Sequence, residues 1–315
     1  MRALGAVEYF SGYPWQVADC DDCGCRFTRH DESVHEVFHQ SGAISYYAEY
    51  RDLAEQTGRL FAARDLAGLQ QYLVETSPKY RFVIEAAEGL DRGASCLEIG
   101  CSRGYLSSWL ILAGLNVLGL DVSPEAVSAA SASFGDHFAL AGSARAESGG
   151  PYDLIYHVGL IGCVADPLGL TRDLIKKLKP GGRLVFNVPN RNACWMHDQW
   201  WVDTTPPPDL VTMFPPDFWR NQFSEVFQVE EQIHFRSTEQ NVQAWASQMA
   251  GKKWQKPHPQ PLAPSPDCHR TWNQPANRRL LQRFLSKTIK LTGMSKFIPP
   301  VPLEFGYFVT LTRRS

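Results

Sequence analysis

Five short apolar runs, separated by helix-patterned stretches, constrain this chain more than any other feature. They are "SCLEIGC" from Ser95, "NVLGLDV" from Asn116, "HFALAGS" from His137, "YDLIYHVG" from Tyr152 and "RLVFNVP" from Arg183. Runs that are apolar throughout, without in-out alternation, are strands buried on both faces. Separating them by helical segments makes the strands parallel, joined by crossovers. Ser123 followed by Pro124 predicts a capped helix start after the second run, and "KPGGR" (Lys179 to Arg183) predicts the stop of the helix "LTRDLIKKL" before the fifth. Two more strands are predicted at "FQVEEQIHF" (Phe227 to Phe235) and "FGYFVTLT" (Phe305 to Thr312). The sum is an α/β fold with a doubly wound, seven-stranded, mostly parallel sheet. Upstream, residues 34–91 space their apolar residues three and four apart, which predicts an N-terminal helical cap. Residues 1–33 form a separate cysteine-containing segment, and the sheet domain runs over 92–315 with a basic insertion at about 237–300.

A ligand of such a sheet sits beyond the carboxyl ends of the strands, where the first strand turns into the first helix. Here that turn is "CLEIGCSRGYL", residues 96–106. Gly100 and Gly104 read as positions that let the backbone approach a ligand closely. Asp121 ends the second run, where a carboxylate can accept both hydroxyls of a ribose. These features point to an adenosine-containing cofactor, and charge decides which kind. A pyrophosphate on the helix N-terminus disfavours a nearby acid, yet Glu98 stands two residues before the first glycine. A sulfonium and an ammonium would instead be attracted by that carboxylate.

Four segments in order, "LEIGCSRG", "VLGLDVSPEAV", "YDLIYHVGLIGCVADPLGL" and "LKPGGRLVFNVPN", resemble the class I S-adenosylmethionine-dependent methyltransferases of small molecules, a Rossmann-like family. The resemblance covers about residues 92–235 and returns at the last strand. It implies S-adenosyl-L-methionine as cofactor, with Glu98, Gly100, Cys101, Gly104, Tyr105, Asp121, Val122, Ser143, His157 and Leu160 as the cofactor-binding positions. Glu98, Gly100 and Gly104 would surround the methionine part, Asp121 would bind the ribose, the loop at Gly142 and Ser143 would approach the adenine, and the segment ending at Leu160 would flank the sulfonium. The chain departs from the family pattern at Ser102, where a glycine is usual, at Ser143, where an acid or amide is frequent, and at Cys163, where many relatives carry histidine.

The expected reaction is methylation of a small-molecule acceptor at oxygen, nitrogen or carbon. Where the acceptor must lose a proton, His157 at the end of the fourth run and His197 in "WMHDQWWVDTTPPPDL" are the candidate catalytic residues. Trp195, Trp200 and Trp201 with Pro206 to Pro208 offer flat, rigid walls for an apolar or ring-containing acceptor. Two other readings share parts of the pattern. A nicotinamide-dependent oxidoreductase would use Gly100 and Asp121, but no Tyr-x-x-x-Lys pair occurs in the chain. A non-catalytic binding protein on a methyltransferase scaffold would retain the fold alone.

"DCDDCGCRF" places Cys20-x2-Cys23 ahead of Cys25 and resembles one knuckle of a zinc ribbon. The second cysteine pair is missing, so no bound metal is predicted. Cys96, Cys101, Cys163 and Cys194 lie in or beside core strands and read as reduced thiols, which points to a cytoplasmic protein. A net charge of −2 leaves no nucleic-acid footprint on the molecule as a whole, and no leader or membrane-spanning run is apparent. The segment from Gly251 to Pro300 nevertheless carries ten Lys or Arg against Asp267 alone, a local +9 that would attract an acidic or phosphorylated substrate.

Overall fold

A computed structural model describes residues 2–9, 13–29, 48–192, 210–233 and 306–314. The described chain begins with three antiparallel strands, β1 (Arg2–Tyr9), β2 (Tyr13–Asp19) and β3 (Arg26–Arg29). Three helices follow: α1 (Ala48–Ala62), α2 (Leu66–Thr76) and α3 (Pro78–Glu88). The alternating part runs β4 (Ser95–Ile99), α4 (Tyr105–Leu112), β5 (Asn116–Asp121), α5 (Pro124–Phe134), β6 (Phe138–Leu140), α6 (Ala144–Ser148), β7 (Tyr152–His157), α7 (Pro167–Lys176) and β8 (Leu178–Pro189). It closes with β9 (Thr212–Met213), α8 (Phe218–Phe223), β10 (Phe227–Gln232) and β11 (Gly306–Arg313).

The main sheet has the order β10-β11-β8-β7-β4-β5-β6. β4, β5, β6, β7 and β8 are mutually parallel, and β11 is inserted antiparallel between β8 and β10. The chain winds outward from β4 through β5 to β6, then returns to the other side of β4 for β7. That reversal opens a crevice at the carboxyl end of β4. Leu154, Tyr156 and Val185 face one side of the sheet, where α4 and the cap helices supply Leu53, Leu69, Leu73, Val83 and Ile84. Leu97, Ile155, Leu184 and Phe186 face the other, packed with α7, α8 and the N-terminal turn through Cys25.

Local chemistry sets the element ends. Ser123 accepts from the Ala126 amide and Pro124 opens α5, the arrangement expected from the sequence. Asp65 and Asp166 cap α2 and α7 in the same way, at 2.9 and 2.8 Å from the Gly68 and Gly169 amides. Two boundaries differ from the sequence-based expectation. The third run yields only Phe138–Leu140, because Gly142 turns the chain and Ser143 accepts from the Ala146 amide to start α6. α7 ends at Lys176, ahead of the glycines, and Gly181 lets β8 make an excursion between the pairs Tyr152↔Leu178 and Leu154↔Arg183. Residues 1–33, read from the sequence only as a cysteine-containing segment, contain β1, β2 and β3, which join β9 in a second sheet of order β1-β2-β3-β9. That sheet is tied to the main one by the bridge Asn190↔Phe214 and by a three-way contact in which buried Asp19 accepts from Arg26 Nε at 2.8 Å and Arg191 Nη2 at 3.0 Å.

Gly119 in β5 shows how tightly the crevice side is filled. A Cβ there would lie 2.6 Å from Phe138 Cδ1 and 3.0 Å from the Cys101 side chain. Gly119→Ala is expected to lower the unfolding free energy by ~1–3 kcal/mol through overpacking. In a urea denaturation series with Phe138→Leu, the double variant should lose less than the sum of the single losses. Strict additivity would show that the two positions do not meet.

Candidate active site

The β4–α4 turn alternates between ordinary and left-handed backbone: Gly100 has φ +71°, Ser102 φ +50° and Gly104 φ +77°. Glycine takes this conformation without strain, whereas serine holds it at a cost of about 1 kcal/mol. The compensation is visible. Asp121 at the end of β5 accepts the Ser102 amide on Oδ2 at 2.7 Å and the Ser123 amide on Oδ1 at 2.9 Å. One carboxylate therefore clamps the turn after β4 to the turn after β5.

The two glycines differ in what demands them. At Gly100 an added Cβ would meet Leu160 at 3.5 Å, an ordinary contact, so only the backbone conformation calls for glycine. At Gly104 a Cβ would fall 2.7 Å from Phe138 Cζ and 3.1 Å from Phe134 Cδ2. Core packing therefore demands glycine at position 104 in addition to its left-handed backbone. Leu160, from the loop after β7, flanks Gly100, and that loop is held by Asn187 Oδ1 on the Gly159 amide at 2.6 Å. Cys101 and Tyr105 are buried beside the turn, Val122 is half-exposed beyond β5, and Ser143 is engaged as the cap of α6.

Glu98 is the most perturbed acid of the turn. Its side chain is 5 % exposed, and burial pushes its pKa up to about 8 from the ordinary 4.5, against hydrogen bonds that favour the charge. Its Oε2 accepts from the Ser107 hydroxyl of α4 and from the Tyr156 hydroxyl of β7 at 3.2 Å. Tyr156 lies directly across from Glu98 in the β4–β7 ladder. Sequence reasoning had no reason to select Ser107 or Tyr156; the one available signal was a pair of serines inside the otherwise apolar helix "YLSSWLIL". Among the described residues no cationic side chain pairs with Glu98 or Asp121. Two carboxylates without a counter-ion, at the ends of adjacent parallel strands, fit a ligand that brings positive charge and hydroxyls.

His157 is fully buried, stacked on Phe186 at a centroid distance of 4.8 Å, with both ring nitrogens unpartnered among the described residues. Burial pulls its pKa down to about 3, so it stays neutral and is a feeble base. It forms part of the wall behind the crevice. His197, Trp195, Trp200, Trp201 and the basic run from Gly251 to Pro300 lie outside the described residues. At the N-terminal turn, the Gly24 amide bonds the Cys20 carbonyl, Gly24 has φ +73°, and the amides of Cys23 and Asp22 hold the Cys20 thiol below its ordinary pKa. No group of three or more His, Cys, Asp or Glu among the described residues is arranged to hold a metal ion. No helix among them is long and apolar enough to cross a membrane.

Glu98 makes folding pH-dependent. In the folded chain its carboxyl keeps its proton up to about 8, while the unfolded chain releases it near 4.5. Folding then takes up a proton between those values, so stability falls as pH rises through that window, with a slope of at most about 1.4 kcal/mol per pH unit. Thermal or urea unfolding from pH 5 to 9 should show Glu98→Gln losing less stability across the window than the parent. Parallel curves would mean that Glu98 ionises normally.

The family described as "Methyltransferase domain" matches residues 47–231, a span from the cap helices to β10. Among curated relatives, the ubiquinone biosynthesis O-methyltransferase of Vibrio parahaemolyticus is 32 % identical over 143 residues, 41 % of this chain and 57 % of that protein. The protein of the same name from Burkholderia vietnamiensis is 36 % identical over 107 residues, 32 % of this chain and 46 % of its own length. The chain thus spans about half the length of the curated relatives it matches. Among solved structures, a SAM-dependent methyltransferase from Archaeoglobus fulgidus aligns with 75 % of this chain and 92 % of its own at 14 % identity and a TM-score of 0.45. The fold is read from the chain's own sheet order, and the family match covers the strands and turns that build the crevice. The chain belongs to the methyltransferase-domain family, the class I S-adenosylmethionine-dependent methyltransferases.

Proposed function

We propose that this protein transfers a methyl group from S-adenosylmethionine to a small-molecule acceptor, with the cofactor held in the crevice at the carboxyl ends of β4 and β5. The observation that carries the reading is Glu98: a buried acid with no counter-ion among the described residues, at the strand end where a ligand of this fold sits. When bound, S-adenosylmethionine supplies a methyl group on a positively charged sulfur, already activated for in-line displacement. Glu98 would face the cationic methionine part, Asp121 would accept the ribose hydroxyls on lone pairs left free by the Ser102 and Ser123 amides, and Leu160 would close over Gly100 to exclude water. Val122 and Ser143 extend the same rim toward the adenine.

Positioning and dehydration of the acceptor are the protein's main contributions to such a displacement. The names of the curated relatives support an oxygen acceptor ahead of nitrogen or carbon. A hydroxyl must lose a proton, and sealed, neutral His157 is poorly suited to take it, which leaves His197 as the proposed base. The tryptophans around it are the proposed acceptor wall. The basic segment would steer an acidic or phosphorylated acceptor, in which case the Michaelis constant rises steeply with salt.

Calorimetric titration with S-adenosylmethionine, S-adenosylhomocysteine and NADH tests the cofactor assignment. Binding of the first two and silence toward the third is expected; binding of NADH alone would replace methyl transfer by redox chemistry. Asp121→Ala should weaken S-adenosylmethionine by ~1–3 kcal/mol, since partners on both sides of the carboxylate are orphaned. Unchanged affinity would place the ribose elsewhere. Incubation with methyl-labelled cofactor and fractionated metabolites should then yield one labelled small molecule.

A further inference from the structure

Three elements converge on a single oxygen of Glu98. β4 brings the carboxylate, α4 brings the Ser107 hydroxyl, and β7 brings the Tyr156 hydroxyl to 3.2 Å from Oε2. Ser107 Oγ and Tyr156 OH are also 3.2 Å from each other, which closes a triangle. Both hydroxyl residues are completely buried, and Oε1 makes no hydrogen bond within the described residues. Two hydroxyls donating to the same oxygen favour the ionised form, because both hydrogen bonds strengthen when that oxygen carries negative charge.

We infer that Ser107 and Tyr156 are positioning residues: they grip Oε2 of Glu98 from inside the core, so that Oε1 is the oxygen presented to the cationic group of the ligand. The inference rests on the proposed function, in which Glu98 meets that cation. Burial opposes ionisation of Glu98, and the two hydroxyls oppose burial; together they keep the charged form within reach near neutral pH. Among the described residues the surroundings add no positive charge. Asp121 from β5 opposes the charge, Cys96 and Cys101 are buried thiols, and Tyr105 of α4 is a buried phenol. The cap helices present apolar side chains, with Thr57 bonded to the Leu53 carbonyl. The Ser107 backbone amide also favours the charge and remains in both variants, so the substitutions isolate the two hydroxyls.

The consequence is a specific pH signature. If the ligand binds only the ionised carboxylate, loss of one hydroxyl raises the pH at which that form appears and costs affinity on the acid side alone. Kd for S-adenosylmethionine is measured from pH 6 to 9.5 for the parent, Ser107→Ala, Tyr156→Phe, Ser107→Thr and Glu98→Gln. Ratios to the parent are taken at each pH, because the ligand's own ammonium titrates near 8 and cancels in the ratio. Ser107→Ala, a favourable change inside a helix, and Tyr156→Phe should each bind roughly tenfold more weakly at pH 6 and approach the parent above pH 9, one pKa unit being a factor of ten. Ser107→Thr, which keeps the hydroxyl, should follow the parent throughout. Ratios that are constant with pH would reduce both residues to packing and overturn the inference. Glu98→Gln separates this failure from failure of the proposed function: it should bind weakly at every pH, and parent-like affinity would show that Glu98 never meets the cation.

Discussion

A carboxylate sealed into a sheet end is the constraint on which the rest of the site depends. Glu98 is placed by the register of β4 against β7, is gripped by a helix that can reach it only if the turn is tight, and is held mostly protonated by its surroundings. The protein thus stores an unfavourable ionisation at the point where a cation would remove it. Structure and proposed activity meet in that single group: the burial that makes the core at β4 would, in the proposed function, also make the site selective for positive charge.

The turn that allows this geometry is maintained by several weak terms acting together. Two glycines and a serine adopt left-handed backbone within five residues, and the serine is retained there by Asp121. Gly104 and Gly119 leave room for Phe138, whose ring fills the space between α4, α5 and β5. Asp121 clamps the backbone, and in the proposed function it also accepts the ribose, which would couple cofactor binding and turn stability through one side chain. On the opposite side, Asp19 draws Arg26 and Arg191 together and fixes the N-terminal sheet against the end of β8, where the proposed acceptor segment begins.

Much of this was legible in the sequence because strands buried on both faces must be apolar throughout. Each of the five parallel strands falls on one of the runs, though β6 is shorter than its run and β8 starts before its own, and Ser123–Pro124 marks α5 without ambiguity. The carboxylates Glu98 and Asp121 were visible through their distance from the glycines. What stayed hidden depends on contacts between distant positions. β1, β2 and β3 pair with one another and with Thr212–Met213, and nothing local in "DCDDCGCRF" announces such a partner. Tyr156 could be matched to Glu98 only once strand order and register were known. That Phe138 packs beside Gly104 could not be read from spacing either.

Proton release on cofactor binding tests the central claim most directly. At pH 6 free Glu98 holds its proton, whereas S-adenosylmethionine already carries its ammonium, so pairing of the two expels the proton from Glu98. Calorimetric titration in buffers of different ionisation enthalpy should give close to one proton released per cofactor bound by the parent and none by Glu98→Gln. Binding without proton release in the parent would mean that the buried carboxylate does not meet the positive charge.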